Sequence, residues 1–267
     1  MQPMPARRVF ALFAALFALP SIATAAPGFA MRWDRCYADA GGSNKNFACN
    51  TNSGTETLVI TFSPDTAIAN LSGIEIYLDI QSASASIPAW WQLKNTGTCR
   101  QGAISVNMTA DPSAVRCDDT FAGNAAGGIG AYNIFTPGPD RISMSIAEAV
   151  PQTALASVTP GREYFAANIK IDHTKSVGAG ACVGCTTPMC LTIFQMRLVS
   201  PAHTEFIYGQ EGPNSNTVGW QGGSPDIGFY KDTEFDHPWT TGWFNQACGL
   251  PTPARNQTWG AIKSMYR

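Results

Sequence analysis

Charge is what this chain lacks most. Only 13% of its 267 residues are Asp, Glu, Lys or Arg, about half the usual quarter. No basic cluster stands out and the formal net charge is −2, which argues against nucleic acid as a partner. Histidine is scarce too, with His173, His203 and His237 making three. Two of them follow aspartates, as Asp172-His173 and Asp236-His237. Neighbours on a strand face opposite sides, so neither pair makes a dyad by itself. No nucleophile elbow, H-E-x-x-H or phosphate-binding loop is present. The chain reads as one that binds or builds rather than catalyses. Paired acids for glycoside hydrolysis, which must sit about 5 to 9.5 Å apart, are not testable from sequence, so a secreted hydrolase stays as a minor alternative.

Long apolar runs are also missing. Val9 to Leu19 is too short for a bilayer, which needs about 20 residues, and no later run reaches that length, so no stable membrane span is expected. The run follows Arg7 and Arg8, is broken by Pro20, and ends at the small-x-small site Ala23-Thr24-Ala25. That is the pattern of a secretory signal peptide over 1–25, with a mature start at Ala26. Its removal takes Arg7 and Arg8 and no acid, so net charge falls from −2 to −4. The expected location is secreted, extracellular or periplasmic.

What is present in quantity is cysteine, aromatic residues and small polar residues. All eight cysteines follow the signal. "ACVGCTTPMC" carries Cys182, Cys185 and Cys190, and Cys248 completes a quartet that could hold zinc. A redox C-x-x-C would want a helix after it, and none is patterned there. An even count in an exported chain favours disulfides. Chain order predicts Cys36–Cys49 and Cys99–Cys117, with Cys182–Cys190 and Cys185–Cys248 from the last four. Cys190 is expected to point inward, on the face that holds Phe194, Met196 and Leu198.

Apolar residues alternate with period two. "GIEIYLDI" puts Ile74, Ile76, Leu78 and Ile80 on one face and Glu75, Tyr77 and Asp79 on the other. "EYFAANIKID" sends Phe165, Ala167, Ile169 and Ile171 inward, and "RISMSIAEA" sends Ile142, Met144 and Ile146 inward. Turn residues separate these runs. The fold class expected is all-β, a single jelly-roll or immunoglobulin-like β-sandwich over 26–210. An irregular aromatic-rich appendage and a short terminal helix fill 211–267. That helix rests on Trp259, Ile262 and Tyr266 at helical spacing, with Thr258 as N-cap.

The stretches "LVITFSPDTAIANLSGIEIYLDIQS" and "RISMSIAEAVPQTALASVTPGREYFAANIKID" resemble those of cohesin-type and related carbohydrate-binding β-sandwiches. The resemblance covers about half the chain. It implies a nine-stranded jelly-roll with a binding or scaffolding role, and it carries over no binding residue.

Seven tryptophans are many for this length. Sugars stack their C–H faces on such rings, although any single tryptophan serves packing more often. The candidate platform is Trp220, Tyr230, Trp239 and Trp243, in the irregular region where binding loops tend to lie. "KDTEFD" sets Asp232, Glu234 and Asp236 two apart, on one face if extended, where calcium would relieve their repulsion. A solvated acidic face explains the same spacing. A second oxygen-rich candidate is Asp34, Asp39, Asn44 and Asn46. The reading is a secreted, disulfide-stapled carbohydrate-binding or cell-surface adhesion module, whose partner is a glycan or surface polymer and whose only possible cofactor is calcium. The alternative is a structural envelope or matrix protein.

Overall fold

The computed structural model describes residues 27–110, 117–201, 204–208, 216–225 and 248–249. Among them, sixteen strand segments run in chain order. They are β1 (Gly28–Trp33), β2 (Asn44–Lys45), β3 (Thr55–Ser63), β4 (Ile68–Leu71), β5 (Gly73–Ser82) and β6 (Ile104–Asn107). Next come β7 (Asp118–Asp119), β8 (Ala126–Ile134), β9 (Arg141–Ala149), β10 (Ala156–Val158) and β11 (Tyr164–Asp172). The last are β12 (Met189–Val199), β13 (Thr204–Tyr208), β14 (Thr217–Trp220), β15 (Ser224–Pro225) and β16 (Cys248–Gly249). Two single 3-10 turns, Ala89–Trp91 and Gln152–Ala154, are the helical elements of the described residues.

The strands form an all-β sandwich. The smaller sheet has five strands in the order β1-β3-β11-β6, with β7 also on β11. The larger has seven, in the order β2-β14-β12-β5-β9-β8, with β13 also on β12. Short ribbons β4–β10 and β15–β16 accompany them. Period-two alternation is what lets both sheets bury one face. β5 supplies Ile74, Ile76, Leu78 and Ile80, all buried, and β9 supplies Ile142, Met144 and Ile146. Against them the smaller sheet sets Phe29, Met31, Leu58, Ile60, Phe62 and Ile169. Each such side chain contributes about 1.5–3 kcal/mol when fully buried.

Alternation fails at two bulges, and both change a residue's face. In β11 the register to β3 slips between Phe165 and Ala167. Ala167 and Ile169 keep their inward places, while Phe165 turns outward and packs on Val59 and Cys36 in a separate small cluster. In β12 the register to β5 slips between Ile193 and Gln195. Met196 and Leu198 stay in the core, but Phe194 moves to the outer face beside Tyr77. Upstream of the slip the inward residues are Met189, Leu191 and Ile193. Cys190, between them, therefore sits on the outer face, not on the inner one expected from counting by twos through Phe194.

All eight cysteines are disulfide-bonded, but in none of the expected pairs. The bonds are Cys36–Cys117, Cys49–Cys185, Cys99–Cys182 and Cys190–Cys248. Expectation used closeness in sequence, whereas the sheets decide closeness in space. β6 runs antiparallel to β11, with Ile104 opposite Ile171. Cys99, in the loop that leads into β6, therefore meets Cys182, in the loop that follows β11. β2 lies beside β14, with Lys45 level with Trp220, and the Trp220 indole donates to the Cys185 carbonyl at 3.0 Å. Cys49 and Cys185 meet there. Cys36 leaves β1 and folds over Val59 toward the start of β7, where Cys117 waits. The four bonds close separations of 58 to 136 residues, on the order of 4–5 kcal/mol each in the chain-entropy model. No helix among the described residues is long and apolar enough to cross a membrane.

Candidate functional site

The outer face of the larger sheet gathers the most functional groups. β5 presents Glu75, Tyr77, Asp79 and Gln81 there, two residues apart, because its alternate positions fill the core. β12 adds Arg197 opposite Glu75, and β9 adds Ser145 opposite Tyr77 and Ser143 opposite Asp79. The bulge in β12 adds Phe194, whose ring lies 6.1 Å from that of Tyr77 and tilted to it by 38°. The Tyr77 hydroxyl donates to Glu75 Oε2 at 2.9 Å, and Arg197 Nη1 donates to the same oxygen at 2.5 Å. Burial first, and then the bond to Glu75, push the Tyr77 phenol up, so it stays a protonated donor. Arg197 and Glu75 are each about one-third exposed, at 32% and 31%. This half of the face is a pair of rings framed by a carboxylate and a guanidinium, and solvent reaches it.

The other half of the face is closed. Arg141 Nη1 donates to Asp79 Oδ2 at 2.5 Å, and Gln81 Nε2 donates to Asp140 Oδ2 at 3.1 Å. Asp79 Oδ1 is buried with no hydrogen-bond partner. Burial pushes the Asp79 carboxyl up to about 6, against the pull of Arg141. Arg141, Gln81 and Ser143 are all buried.

A second concentration of aromatic residues lies inside one end of the sandwich. Trp220 is its centre. It stacks on Trp90 at 5.2 Å, meets Trp91 edge-on at 5.6 Å, and has Trp33 at 5.8 Å and Phe47 at 6.2 Å. All four indoles are essentially inaccessible. Arg100 closes the group, its guanidinium 3.6 Å from the Trp90 ring centroid. It donates to the carbonyls of Trp90, Thr174 and Asp172 and pairs with the Asp172 carboxylate. Burial pushes the guanidinium down to about 10, so it remains a cation at neutral pH. The bonds Cys49–Cys185 and Cys99–Cys182 bracket this end.

Trp220 is therefore core and not part of an exposed platform. The sequence around it has no clear period, but 217–220 forms β14, pairs with β12 and buries every residue. Tyr230, Trp239, Trp243, Asp232, Glu234 and Asp236 lie outside the described residues, as do the stretches expected to form a signal peptide and a terminal helix. The second oxygen-rich candidate does not converge on a cation. Lys45 takes both Asp34 oxygens, at 3.0 and 2.8 Å. Asn44 donates its amide to Asn46 Oδ1 at 3.2 Å and accepts from the Gly222 amide at 3.0 Å. Among the described residues no group of three or more His, Cys, Asp and Glu side chains could hold a metal ion.

Three features escaped sequence reasoning. The Tyr77–Phe194 pair depends on a bulge that period-two counting does not reveal. His173, expected to have no acid partner through Asp172, instead has Nε2 3.0 Å from Glu56 Oε1 and Nδ1 2.7 Å from the Ser53 carbonyl, under the Phe47 ring at 3.7 Å. A Cβ at Gly54 would lie 2.8 Å from that imidazole, and Gly54 has φ +106°, so only glycine fits. Lys45 on the far side of Glu56, at 2.6 Å, makes this a structural ion network that ties β2 to β3. The third is Glu148, buried on the inner face of β9. No family model, curated protein or solved structure matches the chain, so the cohesin-type resemblance rests on strand pattern alone.

Proposed function

We propose that the chain is a secreted carbohydrate-binding or adhesion module that holds its glycan on the open half of the larger sheet's outer face. The observation that carries this reading is the Tyr77–Phe194 ring pair, flanked on the same face by Glu75 and Arg197. Sugar binding needs a ring surface for C–H faces and fixed donors and acceptors for hydroxyls. This patch supplies both from rigid strands. The four disulfides fit an oxidising compartment, in agreement with the export signal read from residues 1–25. A glycan array probed with the mature chain tests the proposal. Binding to at least one glycan class is expected, with loss in the Tyr77→Ala/Phe194→Ala double variant. An array with no binder at all contradicts it.

A structural envelope or matrix role is favoured by a different observation. β8 ends the larger sheet, and residues 120–139 contain no charged side chain, whereas sheet edges are usually guarded by charge. Sedimentation of the mature chain separates the readings, because a packing protein self-associates with no glycan present.

A further inference from the structure

Glu148 follows Ile142, Met144 and Ile146 on the inward face of β9. It is 5% exposed, and neither carboxylate oxygen has a hydrogen-bond partner. Buried carboxylates are ordinarily bonded or paired, so this one calls for an explanation. Among the described residues its neighbours bring no cation. On β5 it lies opposite Ile74, and the inward residues there are all aliphatic. On β8 it lies opposite Gly127. Among the described residues Asp119 of β7 is the one charge set close enough to act on it, with its own oxygens bonded to the amides of Phe121 and Ala110. Asp118 is held by Arg162. Burial first, then Asp119, push the Glu148 carboxyl up to about 9.

The strand beside it is an edge of the larger sheet. β8 is an edge, bonded only to β9, while β5 and β9 are bonded on both sides. A Cβ at Gly127 would lie 2.1 Å from the Ala147 carbonyl oxygen and 2.7 Å from Glu148 Cα. Here β8 is bare backbone laid directly on Glu148, with no side chain to anchor it. Ala126 and Gly127 are exposed, and the first well-buried side chain of β8 is Tyr132, whose hydroxyl donates to the Trp91 carbonyl at 2.7 Å.

We propose that Glu148 is a proton-operated latch for the first half of β8: neutral, it lets Ala126–Ile129 close on β9, and on losing its proton it drives that segment off the sheet edge. An ionised carboxylate must reach water. Lifting four residues of an edge that only the half-buried Ile129 pins to the core is the shortest route, since the alternative opens β5 in mid-sheet. The closed form holds the proton more tightly than the open form. Closure is therefore complete near the carboxyl's ordinary value of 4.5 and loses ground as pH rises toward about 9, by up to about tenfold per pH unit.

Amide hydrogen exchange, corrected for its intrinsic pH dependence, reads this directly. In the wild type, protection of the β8 amides in Ala126–Ile129 should fall by up to about tenfold per pH unit between pH 6 and 9. In Glu148→Gln it should be flat, and the β5 amides should be flat in both. Identical profiles in the two proteins would overturn the latch. A carbon-13 titration of the Glu148 carboxyl in the wild type gives a second reading that needs no variant. A midpoint well above neutrality is expected, and one near 4.5 overturns the proposal even if Glu148→Gln does not fold.

Discussion

The molecule holds two groups of aromatic residues that look alike in sequence and do opposite things. At one end of the sandwich Trp33, Trp90, Trp91 and Trp220 are packed out of reach of water, with Arg100 against Trp90. On the outer face Tyr77 and Phe194 stand half-buried beside Glu75 and Arg197. The difference lies in where the polar atoms find partners. Three of the four buried rings turn their N–H inward: Trp33, Trp90 and Trp220 donate to Gly219, Ser176 and Cys185 at 2.9 to 3.0 Å, while Trp91 Nε1 is buried with no partner. The outer pair has its hydroxyl on a carboxylate that solvent also reaches. A ring whose polar atom is satisfied inside the fold is packing, and one whose polar partner faces out can serve a ligand.

Breaking the first group should cost the most. Trp220→Ala leaves a cavity among four rings and should destabilise by about 3–5 kcal/mol, measured by chemical denaturation. Arg100→Met strands three carbonyl acceptors inside the fold and takes away the cation paired with the part-exposed Asp172 carboxylate. It should cost about 3 kcal/mol, with any glycan binding kept once the protein is folded. Glu148→Gln should act in the opposite direction. The folded carboxyl is raised, so the wild type is least handicapped below pH 4.5 and loses stability as pH rises toward about 9. The variant should therefore match wild type near pH 4 and exceed it by a few kcal/mol at pH 8, as melting at the two pH values would show. Tyr77→Ala should change stability least, by about 1 kcal/mol or less, while removing binding.

These contrasts show which parts of the molecule were legible in the sequence. The all-β sandwich was, because "GIEIYLDI" and "RISMSIAEA" alternate without interruption and β5 and β9 follow them residue by residue. That the cysteines are bonded was legible from their even count and the export signal. Their partners were not, since pairing depends on which loops two sheets bring to the same end. Phe165, Phe194 and Cys190 were misplaced for one reason: a bulge inserts a residue and reverses parity, and no side chain marks it. Trp220 was misread because "EGPNSNTVGWQGG" looks irregular, although Thr217–Trp220 forms a buried strand. Glu148 is a single acid in an otherwise regular alternation, and only the burial of both its oxygens sets it apart.

The central claim is that the outer pair, and not the tryptophan group, meets the ligand. Titrating a glycan found on the array into isotope-labelled protein tests this most directly. The account predicts that amide shifts concentrate at Glu75–Tyr77 and Phe194–Arg197 and spare Trp33, Trp90, Trp91 and Trp220. Shifts centred on the tryptophans, or confined to residues away from β5 and β12, would contradict it.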